Sequence, residues 1–271
     1  MPKFAVIIPF RPKAESVDWV KESSLLRETI YSVLRQTYES VHIFVVYTDA
    51  PDFQIDDSRI RYDLFPYGYQ EYEEMENRDL LLGKFKSKKL VVRRWDKARK
   101  LCYASKLAKE SGCDFIMALD ADDRLSNSFF EYLTADLQKH TRKGWYLEKG
   151  YLYRAPSNYL IRIPKNMRFL NGSTHVLHTD LVTIPDFQSL VWEDFNLFTD
   201  HGWIKDRMKI EMNVEIYPVK QAMVVYVVHQ SNISQIGRKE FGFRLKAIVK
   251  RIVRFVPLTK RLREEFNITP R

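Results

Sequence analysis

The chain reads as an α/β protein built on a mixed, mostly parallel sheet with helices on both faces. Three neighbouring stretches predict this. Phe4-Ala-Val-Ile-Ile-Pro9 is a continuous apolar run rich in β-branched residues, the pattern of a strand buried on both faces. Leu25 to Tyr38 then sets Leu26, Ile30, Val33 and Leu34 at helical spacing. Val41 to Tyr47 is a second strand-like run, stopped by Thr48-Asp49-Ala50-Pro51. Strand, helix and strand in succession make a βαβ unit, which requires a parallel pair and a helix on the sheet face.

Further elements extend that unit. Residues 49–79 are acidic and Tyr-rich, with Pro66 and Gly68 breaking regularity, and read as an extended connection or flap over a cleft. Leu90 to Ser111 reads as a long helix carrying Arg93, Arg94, Lys97, Arg99 and Lys100. Phe115 to Leu119 is a short third strand, and Ser128 to His140 a further helix. Tyr146 to Ile163 and Val176 to Ile184 alternate apolar and polar residues, as antiparallel or edge strands do. Pro185 to Gly202 reads as helical around Trp192, and Glu215 to Pro218 and Met223 to His229 as strands. The simplest division is one domain over 1–237 (1–140 and 141–237 forming its two halves) and a tail over 238–271.

Composition narrows the class. At 45% hydrophobic and 29% charged residues, the chain can bury a core. The longest strongly apolar run, Ala222 to Val228, is far short of the roughly 20 residues a spanning helix needs. The N-terminus has no apolar stretch of signal-peptide length. Two cysteines, Cys102 and Cys113, supply neither a disulfide framework nor a four-ligand zinc site, and read as reduced thiols. A cytoplasmic protein is expected, with the tail able to hold it at the inner face of the membrane.

The net charge of +9 is unevenly placed. From Arg238 onward there are 11 Lys/Arg against 3 Asp/Glu, so the first 237 residues carry a net charge of only +1. A nearly neutral main domain argues against a nucleic-acid surface. On a helix over Phe241 to Val256, Phe241, Leu245, Ile248, Val249 and Ile252 share one face, with Arg244, Lys246, Lys250 and Arg251 opposite. Such a basic amphipathic helix either lies on an anionic membrane or packs on its own domain.

Asp120-Ala-Asp122-Asp123 ends the third strand. Ligands of open α/β sheets bind beyond the carboxyl ends of the strands. Alternation points Asp120 and Asp122 to one side, where Mg²⁺ or Mn²⁺ would relieve their repulsion and bind phosphate oxygens. The alternative is a helix cap from Asp123 or Ser126. An EF-hand is excluded, because its sixth position would be Leu125 rather than Gly. Asp49 ends a parallel strand and should share this edge, either as a plain turn residue or as an acceptor for a base or ribose. Walker A and Gly-x-Gly-x-x-Gly sequences are absent, so a nucleotide's charge would fall to a metal and to Arg93, Arg94, Arg99 or Lys100. His175 and His178, three apart, offer a metal pair or acceptor-facing groups.

Phe4-Ala-Val-Ile-Ile-Pro9, Ser32-Val-Leu-Arg-Gln-Thr-Tyr38, Ile43 to Asp49 and Leu119-Asp-Ala-Asp-Asp123 occur in the order found in family 2 glycosyltransferases, which the chain resembles over residues 4–140 and more thinly over 141–237. The resemblance implies the GT-A fold, a nucleotide diphosphate sugar (a UDP-sugar foremost) as donor, and Mg²⁺ or Mn²⁺. It implies that Pro9, Asp49, Arg99, Lys100 and Asp120 contact the nucleotide, Asp49 at the base and Asp120 near the ribose. By the same resemblance Asp122 and His229 hold the metal, and Asp194, or failing that Glu193, is the base acting on the acceptor hydroxyl. Phe10-Arg11, residues 12–24 and the wide spacing from Ala98-Arg99-Lys100 to Asp120 depart from the family pattern.

The expected activity is therefore an inverting, metal-dependent transfer of a sugar to a saccharide or lipid-linked hydroxyl, of the hexosyltransferase type, in surface polysaccharide or glycolipid synthesis. Two alternatives stand beside it. A nucleotidyltransferase would use a similar carboxylate edge, but its glycine-rich basic N-terminal loop is missing here. A non-catalytic nucleotide- or lipid-binding relative would work through the tail.

Overall fold

The computed structural model describes residues 1–229 and 254–269. Its elements in chain order are β1 (Phe4–Pro9), α1 (Trp19–Leu34), β2 (Val41–Tyr47), β3 (Ile60–Leu64), α2 (Arg78–Phe85), α3 (Lys88–Glu110), β4 (Phe115–Ala118), β5 (Arg124–Leu125) and α4 (Phe129–Leu137). There follow β6 (Gly144–Leu147), β7 (Gly150–Arg154), β8 (Tyr159–Ile163), β9 (His175–His178), α5 (Trp192–Phe195), α6 (Ile204–Met212), β10 (Tyr217–Val219), β11 (Val224–Val228), β12 (Arg254–Pro257) and α7 (Lys260–Glu265).

A seven-stranded sheet runs β10-β6-β9-β4-β1-β2-β3. The β3-β2-β1-β4 part is parallel, and β9 pairs antiparallel with both β4 and β6. Period two sorts β1 between two cores. Ala5 and Ile7 join α3 and the 181–216 region, whereas Phe4, Val6 and Ile8 join α1 and α4. All five are 0% exposed, so the apolar run at the N-terminus is a strand covered on both faces.

A second, five-stranded sheet runs β12-β8-β7-β11-β5. Val224 and Tyr226 of β11 face the second of those cores, while Val225 and Val227 face a third, with Leu25, Leu160, Leu258 and Phe266. Both cysteines are buried, and burial pushes the Cys102 thiol up to about 12 and the Cys113 thiol to about 11. No helix of the described residues is long and apolar enough to cross a membrane.

Several sequence expectations change. α1 begins at Trp19 rather than Leu25, because Asp18 caps it by accepting from the Lys21 N–H at 3.0 Å. Residues 49–79 contribute an edge strand, β3, whose Ile60, Tyr62 and Leu64 alternate with Arg61 and Asp63. Pro185 to Gly202 holds only the single turn of α5 and a 3₁₀ turn at His201–Trp203; buried Trp192, Phe195 and Phe198 anchor the irregular backbone between. The helix expected over Phe241–Val256 lies mostly outside the described residues. Its last three positions fall in β12, paired antiparallel with β8, so the segment 254–268 belongs to the domain. Phe266 there is 0% exposed.

Candidate functional site

A cleft of about 400 Å³ opens beyond the carboxyl ends of β1 and β4, where open α/β sheets bind ligands. Pro9, Phe10 and Arg11 form its floor, and the N-terminal half of α3 presents Leu90, Arg93, Arg94 and Lys97 along one wall. Those α3 positions recur at three- and four-residue spacing, so one stripe of the helix faces the cleft. Asp120 and Asp122 project from the turn after β4, His229 from the end of β11, and Phe169, Gly172, Thr199 and His201 close the far side.

The carboxylate turn is held by its own third member. Asp123 is 0% exposed; its Oδ2 accepts from Ser173 Oγ at 2.5 Å and its Oδ1 from the Val227 N–H at 3.2 Å. Burial, then the charges of Asp122 and Asp120, push its carboxyl well above the usual range. Asp123 thus pins the β4–β5 turn to β11 and does not cap α4, which begins without a side-chain cap. Beneath it, Arg124 donates to Glu28 and Thr29 and to the Asp122 and Asp123 carbonyls.

Asp120 and Asp122 remain for the cleft. Carboxylate oxygens of Asp120, Asp122 and Asp123 lie within 4.8 Å of one another. Lys97 Nζ pairs with Asp120 at 2.5 Å, and His229 Nε2 meets Asp122 Oδ2 at 2.6 Å. Burial would raise the Asp122 carboxyl, but the hydrogen bond and charge of His229, with Arg11 and Lys97, outweigh it and hold the group below its ordinary value. Two closely spaced carboxylates with an imidazole beside them form a donor set that fits Mg²⁺ or Mn²⁺.

Of the nine residues expected from sequence, four come together here: Pro9, Asp120, Asp122 and His229. Asp49 does share their sheet edge, yet its carboxylate accepts from the Lys13 N–H at 2.8 Å and does not line the cleft. Lys100 lies on the cleft-facing stripe of α3 but is 0% exposed, with Nζ bound to the Phe10 carbonyl at 2.9 Å and Asp96 at 3.0 Å. Arg99 points elsewhere, onto Phe65, Tyr67 and Trp95, and donates to Gln70 and the Phe187 carbonyl. Glu193 and Asp194 are exposed on α5 and do not line the cleft; Asp194 accepts from Ser189 Oγ at 2.5 Å. His175 is buried against Thr174, and His178 Nδ1 accepts from the Asp180 N–H. Neither lines the cleft.

Sequence reasoning missed Lys97 as a cleft residue, and His201 and Phe169 entirely. A signal existed in Asp200-His201-Gly202, a break just before a helix. Asp96 also lines the cleft, and its Oδ1 has no hydrogen-bond partner among the described residues.

No family model matches this chain. No curated protein matches it either. Among solved structures, it is similar to S. aureus TarS 1-349 in complex with UDP-GlcNAc, with a TM-score of 0.50 and 14% identity over 91% of this chain and 65% of that one. It is also similar to S. aureus TarS 1-349, with a TM-score of 0.48, 13% identity, and 92% and 66% of the two chains covered. A third is Francisella tularensis 2-C-methyl-D-erythritol 4-phosphate cytidylyltransferase, at 0.44 and 11%, with 91% and 99% covered. The chain thus spans slightly less than two thirds of the TarS chains. The first of these likenesses shows the fold. The mixed, mostly parallel sheet with helices on both faces is of the GT-A type.

Proposed function

We propose that the chain is a glycosyltransferase that moves a sugar from a nucleotide diphosphate donor to an acceptor hydroxyl. The observation that carries this reading is the convergence of Asp120, Asp122 and His229 on one cleft with Arg94 and Lys97, on a fold shared with a protein whose complex with UDP-GlcNAc is known.

Sugar transfer needs neutralisation of the charge that builds on the departing diphosphate. Asp120, Asp122 and His229 would hold a divalent cation, which when bound supplies that neutralisation. Lys97, now on Asp120, and Arg94, 3.7 Å from Asp200, are the side chains of α3 able to meet the phosphate oxygens. Asp96 Oδ1 offers a buried acceptor for a donor N–H or O–H, the task that the sequence resemblance gave to Asp49. Across the cleft, Phe169 is 47% exposed and offers an aromatic surface to the acceptor. Direct displacement at the anomeric carbon gives inversion. The basic and apolar sequence of 241–253 supports a lipid-linked acceptor on an anionic membrane surface.

Thermal unfolding with nucleoside diphosphates and their sugars, with and without Mn²⁺, tests the reading. A ligand at a hundredfold excess over its Kd is expected to raise the melting temperature by about 5 °C, and only with metal present. Transfer would then release nucleoside diphosphate, whereas pyrophosphate would identify a nucleotidyltransferase. No shift with any nucleotide would refute the proposal.

A further inference from the structure

The far wall of the cleft carries a group that the donor chemistry leaves unused. His201 Nδ1 lies 2.5 Å from the Arg168 carbonyl oxygen. A carbonyl only accepts, so Nδ1 bears the proton and Nε2 carries the lone pair. Nε2 has no hydrogen-bond partner among the described residues, and the side chain lines the cleft. Its position relative to the donor site follows from Gly172. A Cβ built there would lie 3.5 Å from Asp120 Oδ2, 3.5 Å from Lys97 Nζ and 3.6 Å from His201 Cδ2, the carbon next to Nε2. The imidazole therefore stands across a single glycine from the Asp120 carboxylate proposed to hold the cation and the Lys97 ammonium proposed to meet the diphosphate.

The support of this ring is rigid. Arg168 Nη1 donates to the Gly202 carbonyl at 3.0 Å, and the Phe169 ring packs against Gly202, where a Cβ would meet its Cδ1 at 2.8 Å. The two 3₁₀ turns, Met167–Phe169 and His201–Trp203, are thereby locked together. Burial lowers the His201 pKa, and Lys97 and Arg94 lower it further against the opposing Arg168 carbonyl and Asp120. His175 is a further titratable neighbour of the ring, itself held neutral by burial. The ring is neutral at physiological pH.

From this geometry, and resting on the glycosyltransferase reading, we infer that His201 Nε2 is the base that takes the acceptor hydroxyl proton. In the step, the acceptor O–H bond breaks and its proton passes to Nε2. The oxygen lone pair forms the new bond to the anomeric carbon. The bonding pair between that carbon and the phosphate oxygen departs with the nucleoside diphosphate. The imidazolium then returns its proton to solvent.

The test uses nucleoside diphosphate sugars in turn, with an octyl glycoside as hydroxyl probe and released nucleoside diphosphate as the signal. His201→Ala is expected to lower kcat about 10²- to 10⁴-fold while keeping the donor-induced thermal shift, and added imidazole should restore part of the rate. The wild-type kcat should fall on the acid side with an apparent pKa below the ordinary histidine value; this limb should vanish in His201→Gln. Nitrogen NMR of labelled histidine in the unaltered chain should show the Nδ1–H tautomer. Wild-type rates in His201→Ala, loss of the donor shift with the activity, an Nε2–H tautomer, or a loss of transfer caused by Asp194→Asn instead would each overturn the assignment. Absence of release by the wild type with every donor would overturn the glycosyltransferase reading itself.

Discussion

Asp122→Asn should lower transfer at least about 10³-fold, or roughly 4 kcal/mol of transition-state stabilisation, while the chain stays folded. Asparagine keeps an oxygen opposite His229 Nε2, so the 2.6 Å contact retains an acceptor. What disappears is the charge, which a cation and the departing diphosphate both depend on. Stability should change far less, because two effects of the lost charge oppose each other. Asp122 is, after burial, the largest cause of the raised Asp123 carboxyl. A carboxyl raised in the folded state favours folding below its unfolded pKa and opposes it as pH rises through the folded one. Removing the Asp122 charge relieves that opposition near neutral pH but forfeits the stability that Asp122's own lowered carboxyl contributes above its unfolded pKa. Steady-state rates with calorimetry check both halves, and turnover within tenfold of wild type would remove Asp122 from the mechanism.

Lys100→Met should cost about 3–5 kcal/mol of stability and lower the melting temperature by about 6 °C or more. The Nζ group is wholly enclosed, bonded to Asp96 and to the Phe10 carbonyl. Methionine fills much of the volume but leaves a buried carboxylate and a buried carbonyl without their donor. Replacing both charges, as Asp96→Leu/Lys100→Met, should recover part of the loss, because an apolar pair leaves no orphaned charge. The measurement is thermal unfolding without nucleotide. An unchanged melting temperature combined with weaker donor binding would return Lys100 to the phosphate role that its sequence position implies.

The difference between those two residues shows what the sequence makes legible. Asp120 and Asp122 follow a strand whose carboxyl end is fixed by its apolar run, so their place on the sheet edge was readable from local pattern alone. Asp49 was placed on that edge by the same logic, and it is there; only the competing Lys13 N–H, brought in by the loop before α1, takes up its carboxylate. On α3 the relevant coordinate is depth. Lys97 and Lys100 share a stripe, but a rise of about 1.5 Å per residue sets Lys100 under the end of β1 and Lys97 in the open cleft. Arg99 is turned onto another face by the helical rotation. His201 was illegible because its role depends on the Arg168 carbonyl, set by the packing of Phe169 on Gly202 and by no local pattern. Phe255 and Val256 illustrate a third limit. A short apolar run fits either period, and pairing with β8 decided for the strand.

The return of the chain through β12 also bears on solubility. β8 is flanked by β7 on one side and β12 on the other. Without β12, the row of amides and carbonyls along Tyr159–Ile163 would be open to a second molecule, beside Leu160 and Tyr153, from which Leu258, Phe266 and Ile268 would also be gone. An unprotected edge over bared apolar surface is a template for aggregation. A chain shortened at residue 237 would therefore self-associate, and any change in its liposome binding would report a damaged sheet rather than a lost membrane anchor. Point charges reversed within 241–253, leaving β12 in place, are the clean way to ask what that segment touches.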